Sequence, residues 1–260
     1  MVSCAAFALP VMLALVSCSV KEDRTGCPCL LEVEFVEMDS IKDPVWIIGW
    51  QTAEVFRDNV ITADYPERYT RRVPKGMLAF GAVEGLVTNN HSGHSVIIPE
   101  GYECDSLYAF SDYVDCTGER GHTAVTFHKQ FATVNITVGG NAAVQGYAFV
   151  FESNSCGIDL LTCRAVEGKF RFEPDFTGSD SISFRIPRQC DDGLTLTVSH
   201  PSGDSSVFAL GEYIRSIGYD WDATDLQDIY ITLDVVRGRI SIGVAEWEEA
   251  ENKELSEIDL

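Results

Sequence analysis

Ile229-Tyr230-Ile231-Thr232-Leu233-Asp234-Val235 and Arg239-Ile240-Ser241-Ile242-Gly243-Val244, joined through Arg237-Gly238, decide the fold of this chain. Both runs are rich in the β-branched and aromatic residues that suit a pleated, half-buried surface. Gly238 between them supplies the positive φ that a tight hairpin turn wants. Working outward, the same signature recurs. Leu31-Glu32-Val33-Glu34-Phe35 alternates apolar with acidic residues, which directs one face to a core and the other to water. Met77 to Val83, Ser95 to Ile98, Ala124 to Phe127, Phe131 to Val138, Gly146 to Phe151, Ser181 to Ile186 and Leu194 to Ser199 read alike. Short strands separated by Gly, Asn, Asp and Pro clusters predict an all-β protein built of antiparallel β-sandwiches rather than βαβ units.

Val138-Gly139-Gly140-Asn141 interrupts the series near the middle. Its glycines loosen the backbone, which places a domain boundary there. The reading is a leader over 1–17, an N-terminal β-sandwich over 18–140 and a C-terminal β-sandwich over 141–260 with an acidic tail. That tail, Trp247 to Leu260, reads as a helical end or a mobile surface segment. Asn89-Asn90-His91-Ser92-Gly93-His94 and Pro201-Ser202-Gly203-Asp204-Ser205-Ser206 read as exposed loop tips, and no internal repeat stands out.

At the N-terminus, Cys4 to Val16 is almost wholly apolar. At about 1.5 Å per residue it falls short of the ~30 Å hydrocarbon core, and its length suits a signal-peptide h-region. Leu15-Val16-Ser17-Cys18 ends the run: the small Ser17 precedes Cys18, which predicts cleavage between them and lipidation of the Cys18 thiol. No Lys or Arg precedes the run, so only the amino terminus supplies positive charge. An ordinary secretory signal containing a cysteine is the alternative. The formal charge of −21 lies wholly outside the leader. Such acidity repels nucleic acid and anionic headgroups, so nucleic acid is excluded as a partner and membrane attachment falls to acyl chains.

Seven cysteines remain beyond Cys18: Cys27, Cys29, Cys104, Cys116, Cys156, Cys163 and Cys190. The number is odd, so at least one stays unpaired or pairs between chains. Cys156 with Cys163, and Cys104 with Cys116, are near enough in sequence to staple local loops. Cys27-Pro28-Cys29 lacks the second Cys or His pair of a zinc site.

No catalytic constellation, cofactor motif or metal site emerges. His91 and His94 read as solvated loop residues, and His122, His128 and His200 lack a nucleophile motif. Asp220, Asp222, Asp225 and Asp228 form the densest carboxylate cluster but lack the glycine and terminal glutamate of a calcium loop, so a solvated turn is the better reading. Trp46, Trp50, Trp221 and Trp247 would stack on sugars if exposed, or fill a core if not.

Taken in order, Cys18-Ser19-Val20-Lys21-Glu22-Asp23-Arg24, the Leu31–Phe35 strand, Asp105-Ser106-Leu107-Tyr108, His128 to Val138, Gly157-Ile158-Asp159-Leu160, Gly168-Lys169-Phe170 and Ile242-Gly243-Val244-Ala245-Glu246-Trp247 resemble the fimbrillin-associated anchor lipoproteins, the FimB/Mfa-type fimbrial subunits. The resemblance implies two tandem transthyretin-like β-sandwich domains in a lipoprotein that ends and tethers a surface fimbria. It implies fimbrial shaft subunits as partners, joined by strand exchange: a C-terminal strand of one subunit fills a groove that opens when a neighbour's N-terminal strand is cut away. An anchor that keeps its N-terminal strand stops growth. Lys21-Glu22-Asp23 resembles the acidic tag that sends such lipoproteins to the outer face of the outer membrane. As a donor strand, Glu246 to Glu251 offers only Trp247 and Ala250 as inward residues, with Leu255, Ile258 and Leu260 as a second patch, so the mating surface is either this tail or a face of the C-terminal domain. A surface glycan-binding lipoprotein, which requires aromatics on one exposed platform, is the rival reading, and a hydrolase, which requires convergent His or carboxylates in a concave pocket, is the third.

Overall fold

The computed structural model describes residues 26–36, 41–139, 146–176, 179–234, 239–245 and 256–259. The leader, the Ser17/Cys18 cleavage and lipidation site, the Lys21-Glu22-Asp23 tag, the Gly140-Asn141 linker, the Arg237-Gly238 turn and Trp247 lie outside the described residues. The first ten strands are β1 (Cys29–Phe35), β2 (Val45–Trp50), β3 (Glu54–Val60), β4 (Tyr69–Val73), β5 (Met77–Glu84), β6 (Asn90–Ser92), β7 (Ser95–Ile97), β8 (Tyr108–Asp115), β9 (Arg120–Val125) and β10 (His128–Lys129). There follow β11 (Phe131–Gly139), β12 (Ala148–Asp159), β13 (Arg164–Phe172), β14 (Ser181–Pro187), β15 (Thr195–Ser199), β16 (Ser205–Phe208), the short helix α1 (Leu210–Ser216), β17 (Asp228–Asp234), β18 (Arg239–Ala245) and β19 (Ser256–Asp259). No helix among the described residues is long and apolar enough to cross a membrane.

The strands form four sheets: β4-β1-β9; β10-β8-β5-β2-β3; β14-β11-β17-β18-β19; and β16-β15-β12-β7-β6, with β13 also paired to β12. The protein is thus all-β, and its pairings are antiparallel with two exceptions. β1 runs parallel to β9, and β11 runs parallel to β17. The all-β antiparallel reading holds, with these two parallel pairs set inside it. Alternation along a strand fixes its faces but not the direction of its neighbour. They also disclose a repeat that the residues hide. The order β4-β1-β9 recurs as β14-β11-β17, each time with the earliest strand between an antiparallel and a parallel neighbour.

Two apolar clusters fill the sheets. One gathers Leu31, Val33, Phe56, Leu78, Phe80 and Val125 beneath β1. The larger one holds Phe149, Phe151, Ile186 and Leu196, but also Ile48, Val83 and Val96 from earlier strands and Leu107 just before β8. Sheet membership changes between β10 and β11, since β11 pairs only within the third sheet.

The Asn89–His94 segment departs from the loop-tip reading. It forms most of a β6–β7 hairpin turning at Gly93 (φ 58°), and β7 then pairs with β12. Gly157 of β12 permits this pairing, because a Cβ there would lie 1.9 Å from the Val96 carbonyl oxygen. His91 rests on Trp46 with ring centroids 4.8 Å apart, and His94 on Trp50 at 5.1 Å. Composition alone therefore underestimates the segment; two indole rings on β2 supply the packing that its own residues lack.

Candidate strand-exchange site

β1 is the strand on which the assembly question turns. Its alternation works as read: Cys29, Leu31 and Val33 are fully buried and Phe35 nearly so, while Glu34 faces outward. β1 pairs antiparallel to β4 from Cys29 to Val33 and parallel to β9 from Leu30 to Phe35, so both of its edges are used. Burial of each large inward side chain contributes about 1.5–3 kcal/mol. Withdrawal of β1 would leave a slot between β4 and β9 over Leu78 and Phe80 of β5.

The outer face of β1 is clamped by charge. The Glu32 carboxylate, 11% exposed, accepts from Arg68 on the approach to β4 at 3.1 Å and from Arg120 at the start of β9. Glu34 lies 3.5 Å from His122 and 3.9 Å from Arg68. Glu32 thus ties β1 to both flanking strands. β4 is in turn braced to β3: the Tyr69 hydroxyl donates to Asp58, which also receives Arg71. Burial, then this bond to Asp58, pushes the Tyr69 phenol up to about 12.

The other end of the chain is built differently. β17 and β18 form the expected hairpin, with Asp234 opposite Arg239. Among the described residues β19 pairs only with β18, from Arg239–Asp259 to Ile242–Ser256, and so forms an edge. Part of the acidic tail is therefore a strand, and Ile258 of the second apolar patch lies within it opposite Ile240. Leu255, Leu260 and Glu246 to Glu251 lie outside the described residues.

Several other polar side chains tie strands together. Asp105 accepts from the backbone N–H groups of Val87, Thr88 and Asn89 at 2.8 Å each, and from the Thr88 hydroxyl. Burial alone would raise its carboxyl, but these bonds outweigh that cost and hold it below the usual carboxylate range. It fastens the chain between β5 and β6. Asp228 accepts from Lys129 Nζ at 2.5 Å and the Thr133 N–H at 2.9 Å, and Asp225 accepts the Lys129 N–H at 2.7 Å. The carboxylate cluster is thus used to splice β10 and β11 onto β17. Among the described residues no three His, Cys, Asp or Glu converge as a metal site would require.

A cleft of about 620 Å³ is lined by His128, Cys163, Arg188, Arg215 and Asp222 among others. Arg188 is buried and donates to Gln130 at 3.1 Å and to the Trp221 and Ala223 carbonyls. Burial pushes the Cys163 thiol up, away from nucleophilic reactivity. Trp221 is buried, and Trp46 and Trp50 are half-buried beneath the β6–β7 hairpin. These three do not form an exposed platform.

The cysteines regroup as well. Cys104 and Cys116 lie in different apolar clusters, and Cys116 instead meets Cys29. Cys156 Sγ donates to the Glu167 carbonyl at 3.7 Å, and the cysteine whose charge bears on it is Cys190 rather than Cys163.

No protein-family profile matches the chain, and no curated protein matches it. Solved structures do. The fimbrial anchor protein Mfa2 of Porphyromonas gingivalis superposes with a TM-score of 0.58 over 85% of this chain and 98% of that one, at 12% identity. This chain shares the fold of Mfa2. A candidate polysaccharide-binding protein of Bacteroides thetaiotaomicron gives 0.58 at 12% identity over 85% and 99% of the two chains. A candidate adhesin of Bacteroides ovatus gives 0.58 at 12% over 89% and 96%. At such identities the likeness is one of fold, and it spans nearly the full length of each of these structures.

Proposed function

We propose that this protein is a non-enzymatic surface lipoprotein that anchors and terminates a fimbria. Acyl chains on Cys18 hold it in the outer membrane, Lys21-Glu22-Asp23 directs it to the outer face, and it binds fimbrial shaft subunits. The observation that carries the reading is the state of β1. It is paired on both edges, buried beneath and ion-paired above, in a fold shared with a fimbrial anchor. A subunit whose N-terminal strand stays in place offers no slot to a donor, so growth stops at it. The third sheet, with β19 on its edge, is the face that meets the neighbouring subunit by strand exchange or by augmentation of that edge.

The test is Cys18→Ala together with co-purification from intact cells. The variant leaves the membrane fraction and sheds its fimbriae, and the wild type recovers shaft subunits. Retention of the variant in the membrane overturns the lipid anchor. Capture of polysaccharide without any fimbrial subunit replaces the anchor reading with the glycan-binding one.

A further inference from the structure

Cys29 is the first residue of β1, and Cys116 follows directly on β8. Both are free thiols wholly buried in the cluster beneath β1, where the Cys29 sulfur acts directly on the Cys116 thiol. The surroundings hold Cys116 in place. Its N–H donates to the Gly76 carbonyl at 3.0 Å, and its carbonyl accepts the Gly76 N–H at 3.3 Å. Asp115 accepts from the Thr117 N–H at 2.9 Å and the Thr117 hydroxyl at 2.6 Å, which fastens the turn. On β9, Gly121 stands opposite Leu31, and a Cβ there would lie 2.7 Å from the Cys116 sulfur. Glycine at that position leaves the sulfur its room. Two thiols are thus presented to each other in an apolar pocket, in a chain whose N-terminus reads as an export signal to an oxidising compartment.

We propose that Cys29 and Cys116 form a disulfide that welds the start of β1 to the body of the fold. The oxidant is the disulfide of an envelope thiol–disulfide oxidoreductase. Its S–S bond breaks, the Cys29–Cys116 bond forms, and the two protons given up by these thiols pass to the oxidant, which leaves as the dithiol. Burial, then the adjacent Cys29 sulfur, pushes the Cys116 thiol up to about 12 in the folded protein. Thiolate is scarce there, so the bond forms while the chain folds and resists reduction afterwards.

The role of the bond rests on the anchor reading. Load from acyl chains on Cys18 enters the folded part at the start of β1, and without a crosslink it peels that strand from β4 and β9. With the crosslink, load passes from Cys29 directly to Cys116, β1 is spared, and its slot stays filled. The Cys156/Cys190 pair shows no such placement, since Cys190 is exposed.

The test uses the full chain exported by its host and purified without reductant. It is alkylated under denaturing conditions, digested and mapped by mass spectrometry. The expected result is a linked Cys29–Cys116 peptide pair carrying no label. Labelled thiols at both positions, or a link from Cys29 to another cysteine, overturn the proposal. Two further readouts need no variant. Reduction lowers Tm by roughly 5–15 °C. In a single-molecule pull between the ends, reductant adds roughly 300 Å of extension, the chain between Cys29 and Cys116 at ~3.5 Å per residue. An unchanged extension overturns the bond. The linkage map and the co-purification are independent. Linked peptides without shaft subunits keep the disulfide and remove the anchor reading, and free thiols with shaft subunits do the reverse.

Discussion

β1 and β19, near the two ends of the chain, are both short strands in mixed sheets, yet they are held by different physics. β1 has a neighbour on each edge, a row of buried side chains below and a doubly paired glutamate above. Among the described residues β19 has one neighbour, with four paired positions. A strand removed from the middle of a sheet exposes apolar floor and two rows of unpaired backbone groups. A strand removed from an edge exposes one row, which water or another strand can satisfy. Among the described residues, β1 is therefore held on both edges and β19 on one.

The comparison can be broken most directly at Val33. Val33→Asp places an uncompensated charge in the apolar cluster, and a loss above about 4 kcal/mol is expected in urea or thermal unfolding. A cost no greater than that of losing β19 would deny that β1 is the fixed strand. Asp105 sets a scale between the two ends, because it serves neither. Its folded carboxyl titrates below the unfolded value, so its stabilisation is present above about pH 4 and is lost as pH falls through the folded value. Asp105→Asn should cost roughly 2–3 kcal/mol at neutral pH and flatten the acid limb of a stability–pH curve. An unchanged acid limb would show that the clamp is not the titrating group.

Gly121→Val crowds the Cys116 sulfur beside β1 and should cost about 1–3 kcal/mol in unfolding experiments, more than the same change at Gly118, where a Cβ meets only the Arg120 carbonyl oxygen at 3.8 Å. Removal of residues 256–260 deletes only an edge, and about 1–2 kcal/mol or less is expected. The same truncation sharpens the functional half of the comparison if it abolishes recovery of shaft subunits while leaving the fold intact. Glu32→Gln is the mildest, near 1 kcal/mol and smaller still at high salt, because both arginine partners are largely exposed.

Strands with their own alternation were legible. The Leu31–Phe35, Phe131–Val138 and Ser181–Ile186 readings fall within β1, β11 and β14 almost residue for residue. β2, Val45–Trp50, escaped because Val-Trp-Ile-Ile-Gly-Trp is apolar on both faces and carries no period-2 signal. The β6–β7 hairpin escaped because Asn, His, Ser and Gly read as loop until Trp46 and Trp50 are placed beneath it. β9 was read late, at Ala124, because Arg120-Gly121-His122-Thr123 is polar by composition and becomes a strand by lying against β1. The cysteines teach the same point. Neighbours in sequence suggested Cys104 with Cys116 and Cys156 with Cys163, whereas the sheets bring Cys116 to Cys29 and the charge of Cys190 to bear on Cys156.

By itself the sequence determined the all-β class, the inward and outward faces of most strands and the β17–β18 hairpin, because these depend on periodicities of two and on turn residues a few positions apart. Only the tertiary structure decided the parallel partners of β1 and β11, the hairpin lent to the fourth sheet and the meeting of Cys29 with Cys116. Each of these joins segments tens of residues apart. The residues at either end can state which face they bury, but not which distant strand will lie beside them.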